Sequence, residues 1–304
     1  MEKIKKVGSI EEYQDYLRGM LCFFDDLCRK NNIKYTILDG TLLGAVRNGG
    51  FIPWDGDVDV AVTWKQFRKL KSVFKKYNGR FYLNYAPDHF YKKKGFKRAF
   101  GGICAKVIDK KSDNQLFGID VFTIDFLGDD LSYAEDTLKQ YRMLANRAKA
   151  SIAFHLPVFS NSKNLLQNIK IIPLFIGYPA LKLISRLYTP IWKKQYLRFI
   201  HERLKYDENS KYFTIQPYLG RIGVLENNIL LEGYMDIKFD HMTVMAVKNY
   251  DSYLIPTYHN YMELPPEEKR IPYPSEKELM DIHIEMDDEL RKYLKESHAN
   301  GQIS

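Results

Sequence analysis

The chain has 304 residues, enough for one large domain or two smaller ones around a buried core. A hydrophobic share of 45% and a charged share of 28% exclude an intrinsically disordered chain, and 14% aromatic content suits packed sheet or ring-lined pockets. The net charge of +8 suits anionic partners (phosphorylated substrates, nucleic acid or an acidic membrane face), although a Lys-rich soluble surface accounts for it equally well.

The opening residues MEKIKKVGSIEEYQ carry no apolar segment of the secretory type, so no signal peptide is expected. Ser9 and Glu12 form a capping box, and Ile10, Tyr13, Leu17, Met20, Phe24 and Leu27 follow at helical spacing. Cys22 and Cys28 fall within this pattern. Together with Cys104 they show no metal-binding spacing, so reduced buried thiols and a cytoplasmic setting are expected. Residues 33–39 read as a strand that runs into Gly40 and Thr41, and a short helix then ends at Gly49 and Gly50. A second strand is expected from Asp55 to Val62, followed by a basic helix over 64–77.

Further strands are expected at 80–85, 103–108 and 117–122. Ser132 and Glu135 suggest a second capping box and a helix to about residue 149. The run 163–208 looks mainly helical. Within it, the apolar residues 171–181 are too few to cross a bilayer, which takes about 20. The wider segment 165–198, with Trp192, Lys193, Lys194 and Arg198, suits either a membrane interface or a buried helix pair. Strand character returns at 239–247, and Ser275 to Glu278 opens a charged C-terminal helix. The expected fold class is α+β, a mixed sheet flanked by helices, with a mainly helical C-terminal half packed onto it. The division expected is a catalytic core over 1–150 and a completing region over 151–304.

The chemistry concentrates in WDGDVDVAV. Asp55, Asp57 and Asp59 alternate with Gly56, Val58 and Val60, which on one strand places all three carboxylates on a single face. Residues two apart on a strand lie about 6.6 Å from each other. At an effective dielectric near 20, each neighbouring pair then repels by roughly 2–3 kcal/mol. A hard divalent cation, Mg²⁺ or Mn²⁺, reverses that sign, and the lack of nearby His or Cys argues against zinc. Upstream, free amides at a helix N-terminus after Gly40 suit a phosphate, and Arg47 on the same helix suits either a diphosphate clamp or a surface salt bridge. A further carboxylate is needed as base or as second metal ligand. Asp120, between Ile119 and Val121, faces away from the core and is the candidate, while Asp125 reads as structural. Lys106 can meet a phosphate or face solvent. The Lys92-Lys93-Lys94 run reads as a solvated loop, and nucleic-acid binding is not expected.

The stretch YTILDGTLLGAVRNGGFIPWDGDVDVAV, with FGIDVFTIDF and the block FDHMTVMAVKNYDSYLIPTYHNYMELPPEEKR, resembles the LicD family of phosphotransferases. That family includes bacterial phosphocholine transferases and is related to fukutin-type ribitol-phosphate transferases. The resemblance implies a nucleotidyltransferase-like core that moves a phospho-alcohol from a CDP-linked donor to a glycan hydroxyl, releasing CMP. Phosphocholine from CDP-choline is the first expectation. Glycerol-, ribitol- or ethanolamine-phosphate, or nucleotidyl transfer to a small molecule, are the alternatives. The acceptor implied is a cell-surface glycan (teichoic acid, capsule or lipopolysaccharide) or its lipid-linked precursor, at the inner face of the cell membrane. Carried onto this chain, Asp57, Asp59 and Asp120 are catalytic and hold Mg²⁺ or Mn²⁺ with help from Asp55. Gly40, Thr41, Arg47, Lys106 and Trp54 bind substrate. Three departures from the family pattern are His259, where glycine is usual, the absence of a proline near Lys248, and Gly56, where another aspartate is frequent.

Overall fold

A computed structural model describes residues 4–85, 105–112, 118–152, 206–215, 223–280 and 282–299, with Pro190, Ile191, Lys194, Gln195 and Arg198. The first part runs β1 (Ile4–Lys6), α1 (Ile10–Lys30), β2 (Thr36–Ile37), α2 (Asp39–Asn48), β3 (Val58–Thr63), α3 (Trp64–Lys76), β4 (Phe81–Tyr85), β5 (Ala105–Asp109) and β6 (Ile119–Gly128). There follow α4 (Leu131–Ile152), β7 (Tyr212–Ile215), β8 (Leu225–Glu226), α5 (Asn228–Leu231), β9 (Tyr234–Phe239) and β10 (Met242–Val247). The chain closes with α6 (Asp251–Tyr258), α7 (Glu276–Met280), β11 (His283–Glu285) and α8 (Asp288–Ala299). Most of the membrane-interface candidate 165–198, the lysine run 92–94 and Cys104 lie outside the described residues. Among the described residues, no helix is long and apolar enough to cross a membrane.

The N-terminal capping box forms as the sequence expects. Ser9 Oγ accepts the Glu12 amide at 3.3 Å, and Glu12 accepts the Gly8 amide at 2.8 Å. Tyr13, Leu17, Met20 and Phe24 on the inner face of α1 are fully buried. At α4 the cap differs. The Tyr133 amide donates to Asp130 Oδ1 at 2.7 Å, so Asp130 opens the helix and Ser132 lies within it.

The main sheet has the order β2-β3-β6-β5-β4, with β7 on the far part of β6 and β8 beyond it. β3 and β6 are parallel and the other pairs antiparallel, a mixed sheet of the α+β class. Val58, Val60, Val62, Ile119 and Val121 are buried, and α3 turns back onto this apolar surface through Phe67 and Leu70. The expected C-terminal helix is instead α7, β11 and α8. β11 is drawn into pairing by β1, with Ile4 opposite Glu285. That arrangement brings α8 against α1, where Leu294 packs over Gly19.

One buried ionic network ties the sheet to this returning segment. Arg80 donates to Asp109 through Nε at 2.8 Å and to Asp287 through Nη1 at 2.9 Å, with both Arg80 and Asp109 removed from solvent. Tyr16 on α1 donates to the other Asp109 oxygen at 2.9 Å. Both oxygens of Asp109 are thereby satisfied, as a buried carboxylate requires.

Candidate active site

The parallel register of β3 on β6 sets Asp59 opposite Asp120, and the antiparallel register of β5 on β6 sets Lys106 opposite the same Asp120. Directly opposed residues share a sheet face, so Asp59, Asp120 and Lys106 form one row across three strands spaced about 4.8 Å apart. The row continues at Asn84 on β4. Lys106 Nζ lies 3.0 Å from Asp120 Oδ1. The neighbours Val58, Val60, Ile119 and Val121 point into the core, which holds the acids on the opposite face. On the same strand β6, Asp125 is turned to the other side and buried, where Trp64 Nε1 donates to it at 2.5 Å. Its expected structural role follows from that bond.

Asp55 and Asp57 are placed differently from the expectation of a single strand face. β3 starts at Val58, where its partner β6 also begins its pairing, so both acids precede the ladder. A segment from the far end of the chain holds them. The Gly56 amide donates to Tyr273 O at 2.7 Å and the Tyr273 amide donates to Trp54 O at 3.0 Å. From below, the buried Gln14 side chain donates to Ile52 O at 3.0 Å and to Asp55 O at 2.8 Å. A Cβ on Gly56 would lie 2.7 Å from Pro274 and 2.8 Å from Tyr273 O, so this position excludes an aspartate as long as that segment is docked. The Asp57 amide closes the loop on Asp55 Oδ1 at 3.3 Å.

The turn after β2 reaches the same cluster. A Cβ on Gly40 would lie 2.3 Å from Asp55 Oδ2, so the missing side chain makes room for that carboxylate. Thr41 Oγ1 accepts the Asp59 amide at 2.9 Å and fixes the start of β3 against α2. Asp39 precedes Gly40 with a positive φ of 44° and accepts a hydrogen bond from the Tyr253 hydroxyl.

Arg47 and Trp54 sit at the margin. Arg47 Nη1 donates to the carbonyls of Tyr261 at 3.2 Å and Glu263 at 3.4 Å, and Arg270 stacks over the Trp54 ring at 5.7 Å. Both side chains hold the 261–273 segment beside the acids. Tyr273 and Asp39 are the residues missed from the sequence. Asp39 had a signal, an acid ending a strand directly before the Gly-Thr turn. Tyr273 had none beyond its flanking prolines, which mark extended chain without saying where it lands.

The electrostatics are those of crowded acids. Burial, and then the Asp39 charge, push the Asp55 carboxyl up to about 6 despite the Asp57 amide. Burial, with Asp55 and Asp120, raises Asp57 to about 7 against the opposing pull of Lys106. Asp59 is pushed well above the carboxylate range by burial and by Asp120, Asp39, Asp57 and Asp55. Among the described residues, no three acids, histidines or cysteines close on a common ion position as placed. In kind and charge, however, this all-oxygen set with its surplus of negative charge suits a hard divalent ion.

Residues 32–156, which contain all of these aspartates, match the family profile described as LicD/FKTN/FKRP, nucleotidyltransferase domain. Over 271 residues the chain is 23% identical to the lipopolysaccharide cholinephosphotransferase LicD of Haemophilus influenzae, a match covering 87% of this chain and 96% of that protein. A stretch of 48 residues is 48% identical to the uncharacterized protein RP689 of Rickettsia prowazekii, 16% of this chain and 18% of that one. Mannosyltransferase regulator 4 of Saccharomyces cerevisiae is 31% identical over 87 residues, 26% of this chain and 7% of that protein. By these matches, residues 32–156 are similar to the LicD/FKTN/FKRP family, and the likeness to a LicD protein extends over most of the chain.

Proposed function

We propose that the chain is a metal-dependent phosphotransferase that moves a phospho-alcohol from a CDP-linked donor to a hydroxyl of a cell-surface glycan or its lipid-linked precursor. Phosphocholine from CDP-choline is the leading donor, because the relative matched along most of the chain is named a lipopolysaccharide cholinephosphotransferase. The observation that carries the reading is the row Asp59, Asp120 and Lys106, with Asp57 beside it. Acids and a cation on one sheet face suit the charged oxygens of a diphosphate better than any apolar ligand.

Mg²⁺ or Mn²⁺ bound by Asp57, Asp59 and Asp120, with Asp55 assisting, would supply charge neutralisation at the donor's phosphate oxygens. The chain's own groups do the rest. In the transfer, the acceptor oxygen bonds to the phosphorus bearing the alcohol, and the bond from that phosphorus to the CMP oxygen breaks. The hydroxyl proton passes to a carboxylate, for which Asp120 is the candidate. Lys106 faces the transferred phosphoryl group. Thr41 holds β3 in register, and the N-terminal turn of α2, where the N-cap Leu38 makes no side-chain cap, turns its dipole toward phosphate.

A panel of CDP-choline, CDP-ethanolamine, CDP-glycerol and CDP-ribitol, scored for metal-dependent CMP formation, tests the proposal and ranks the alcohols. Pyrophosphate from a nucleoside triphosphate, with no CMP from any CDP-alcohol, would point to nucleotidyl transfer, the reading that the family description favours second.

A further inference from the structure

We infer that Lys106 serves as a built-in second cation of the site, so that the donor-bound enzyme holds one divalent ion and not two. The inference rests on the metal-dependent reading above and goes beyond it by fixing the ion count. Three observations carry it. The first is register: the β5–β6 pairing sets Lys106 directly across from Asp120, while the β3–β6 pairing sets Asp59 on the other side of the same residue. Asp120 therefore stands between an acid and an ammonium. The second is contact. Lys106 Nζ is 3.0 Å from Asp120 Oδ1, and both side chains are about four-fifths shielded from solvent, at 23% and 21% exposure. A charge-assisted bond at that distance is not a loose surface pair. The third is reach, since the Lys106 charge also acts on Asp57 and on the Tyr273 hydroxyl.

Two-metal phosphoryl-transfer sites place their ions about 3.5–4 Å apart, each shared with a bridging carboxylate. In this chain Asp120 offers one flank to Asp59 and the other to a lysine ammonium. A second divalent ion on the Lys106 flank would have to displace that ammonium and then sit against its positive charge. One ion on the Asp57–Asp59 side meets no such opposition. Lys106 can therefore balance Asp120 when the site is empty and take a phosphate oxygen when the donor arrives, with no change in ion count.

The test counts ions directly. Mn²⁺ is titrated into the purified chain in the presence of CDP, and free Mn²⁺ is read by electron paramagnetic resonance. Wild type is expected to bind one Mn²⁺ per chain and Lys106→Met two, whereas Lys106→Arg, which keeps the charge, is expected to bind one. Two ions on wild type overturn the inference, as does a single ion on a folded Lys106→Met. The wild-type and Lys106→Arg counts decide the matter if Lys106→Met does not fold. No Mn²⁺ on wild type at all removes the metal-dependent reading itself, a different failure from a count of two.

Discussion

Gly40 and His259 are both residues whose backbone or missing side chain matters more than any chemical group. At Gly40 the neighbour is the Asp55 carboxylate, 2.3 Å from where a Cβ would stand. Alanine suits a helix better than glycine by roughly 0.5–1 kcal/mol, so Gly40→Ala is expected to leave the melting temperature within a few degrees of wild type. Transfer activity is expected to fall at least about tenfold, because Asp55 must move. Unchanged turnover in that variant would detach Asp55 from the chemistry. His259 ends α6 at φ 56° and ψ −113°, a region that side-chain-bearing residues rarely enter. The sequence marked this position as a departure from the glycine usual in the family, and the structure supplies the physical cost of that departure. His259→Gly is expected to stabilise the fold by about 1–2 kcal/mol, measured as a shift of the urea midpoint at constant slope.

At the scale of elements, local signals identified what local forces decide. The capping box of α1, its apolar stripe and the inward valines of β3 are where the periodicity puts them. The failures share a cause, long-range pairing. Helical propensity runs through residues 275–299 without a strong break, yet β11 interrupts it because β1, almost the whole chain away, offers a strand edge. Likewise Asp55 and Asp57 alternate as a strand would, but the strand that could extend their pairing starts only at Ile119, and Tyr273 captures the backbone first. The buried Arg80–Asp109–Asp287 network was also illegible, since its members lie far apart in sequence, before β4, at the end of β5 and between β11 and α8. Removing the cation leaves Asp109 buried and takes the Arg80 donor from Asp287 and from the Glu285 carbonyl. Arg80→Met is expected to cost about 3–5 kcal/mol in urea unfolding, while the double variant with Asp109→Leu recovers part of that loss. If Arg80→Met unfolds at the wild-type midpoint, the network is not what ties the returning segment to the sheet.

For the molecule as a whole, the site is a place where stability gives way to charge. The folded-state pKa values of Asp55 and Asp57, about 6 and about 7, lie above the unfolded value near 3.9. The folded chain thus holds protons that the unfolded chain releases. That contribution to stability is fully present below about pH 4 and is lost as pH rises through 6 and 7. The metal-free protein is therefore expected to melt lower at pH 8 than at pH 5, and added Mg²⁺ is expected to recover stability mainly at the higher pH. Asp57→Asn should flatten the profile and raise metal-free stability at pH 8 by roughly 1–3 kcal/mol. A melting temperature that does not change over this range in both proteins would remove the picture of crowded, unbalanced acids. The alternation in WDGDVDVAV singled out Asp55, Asp57 and Asp59, and the register of β3 on β6 sets Asp59 beside Asp120, whereas composition and charge alone point to no position. The sequence left unstated that a late segment around Tyr273 shapes their loop, because nothing local to either segment encodes the meeting.

The central claim is that Asp57 and Asp59 serve chemistry and not folding. The measurement that tests it most directly is CMP formation from CDP-choline by purified wild type, Asp57→Asn and Asp59→Asn, each with Mg²⁺ and with a chelator. Both variants should be folded at pH 8, with melting temperatures at or above that of the metal-free wild type. Wild type should release CMP only with metal, and either substitution should lower the rate by at least about 100-fold. Turnover at the wild-type rate in either folded variant, or metal-independent release by wild type, would contradict the account.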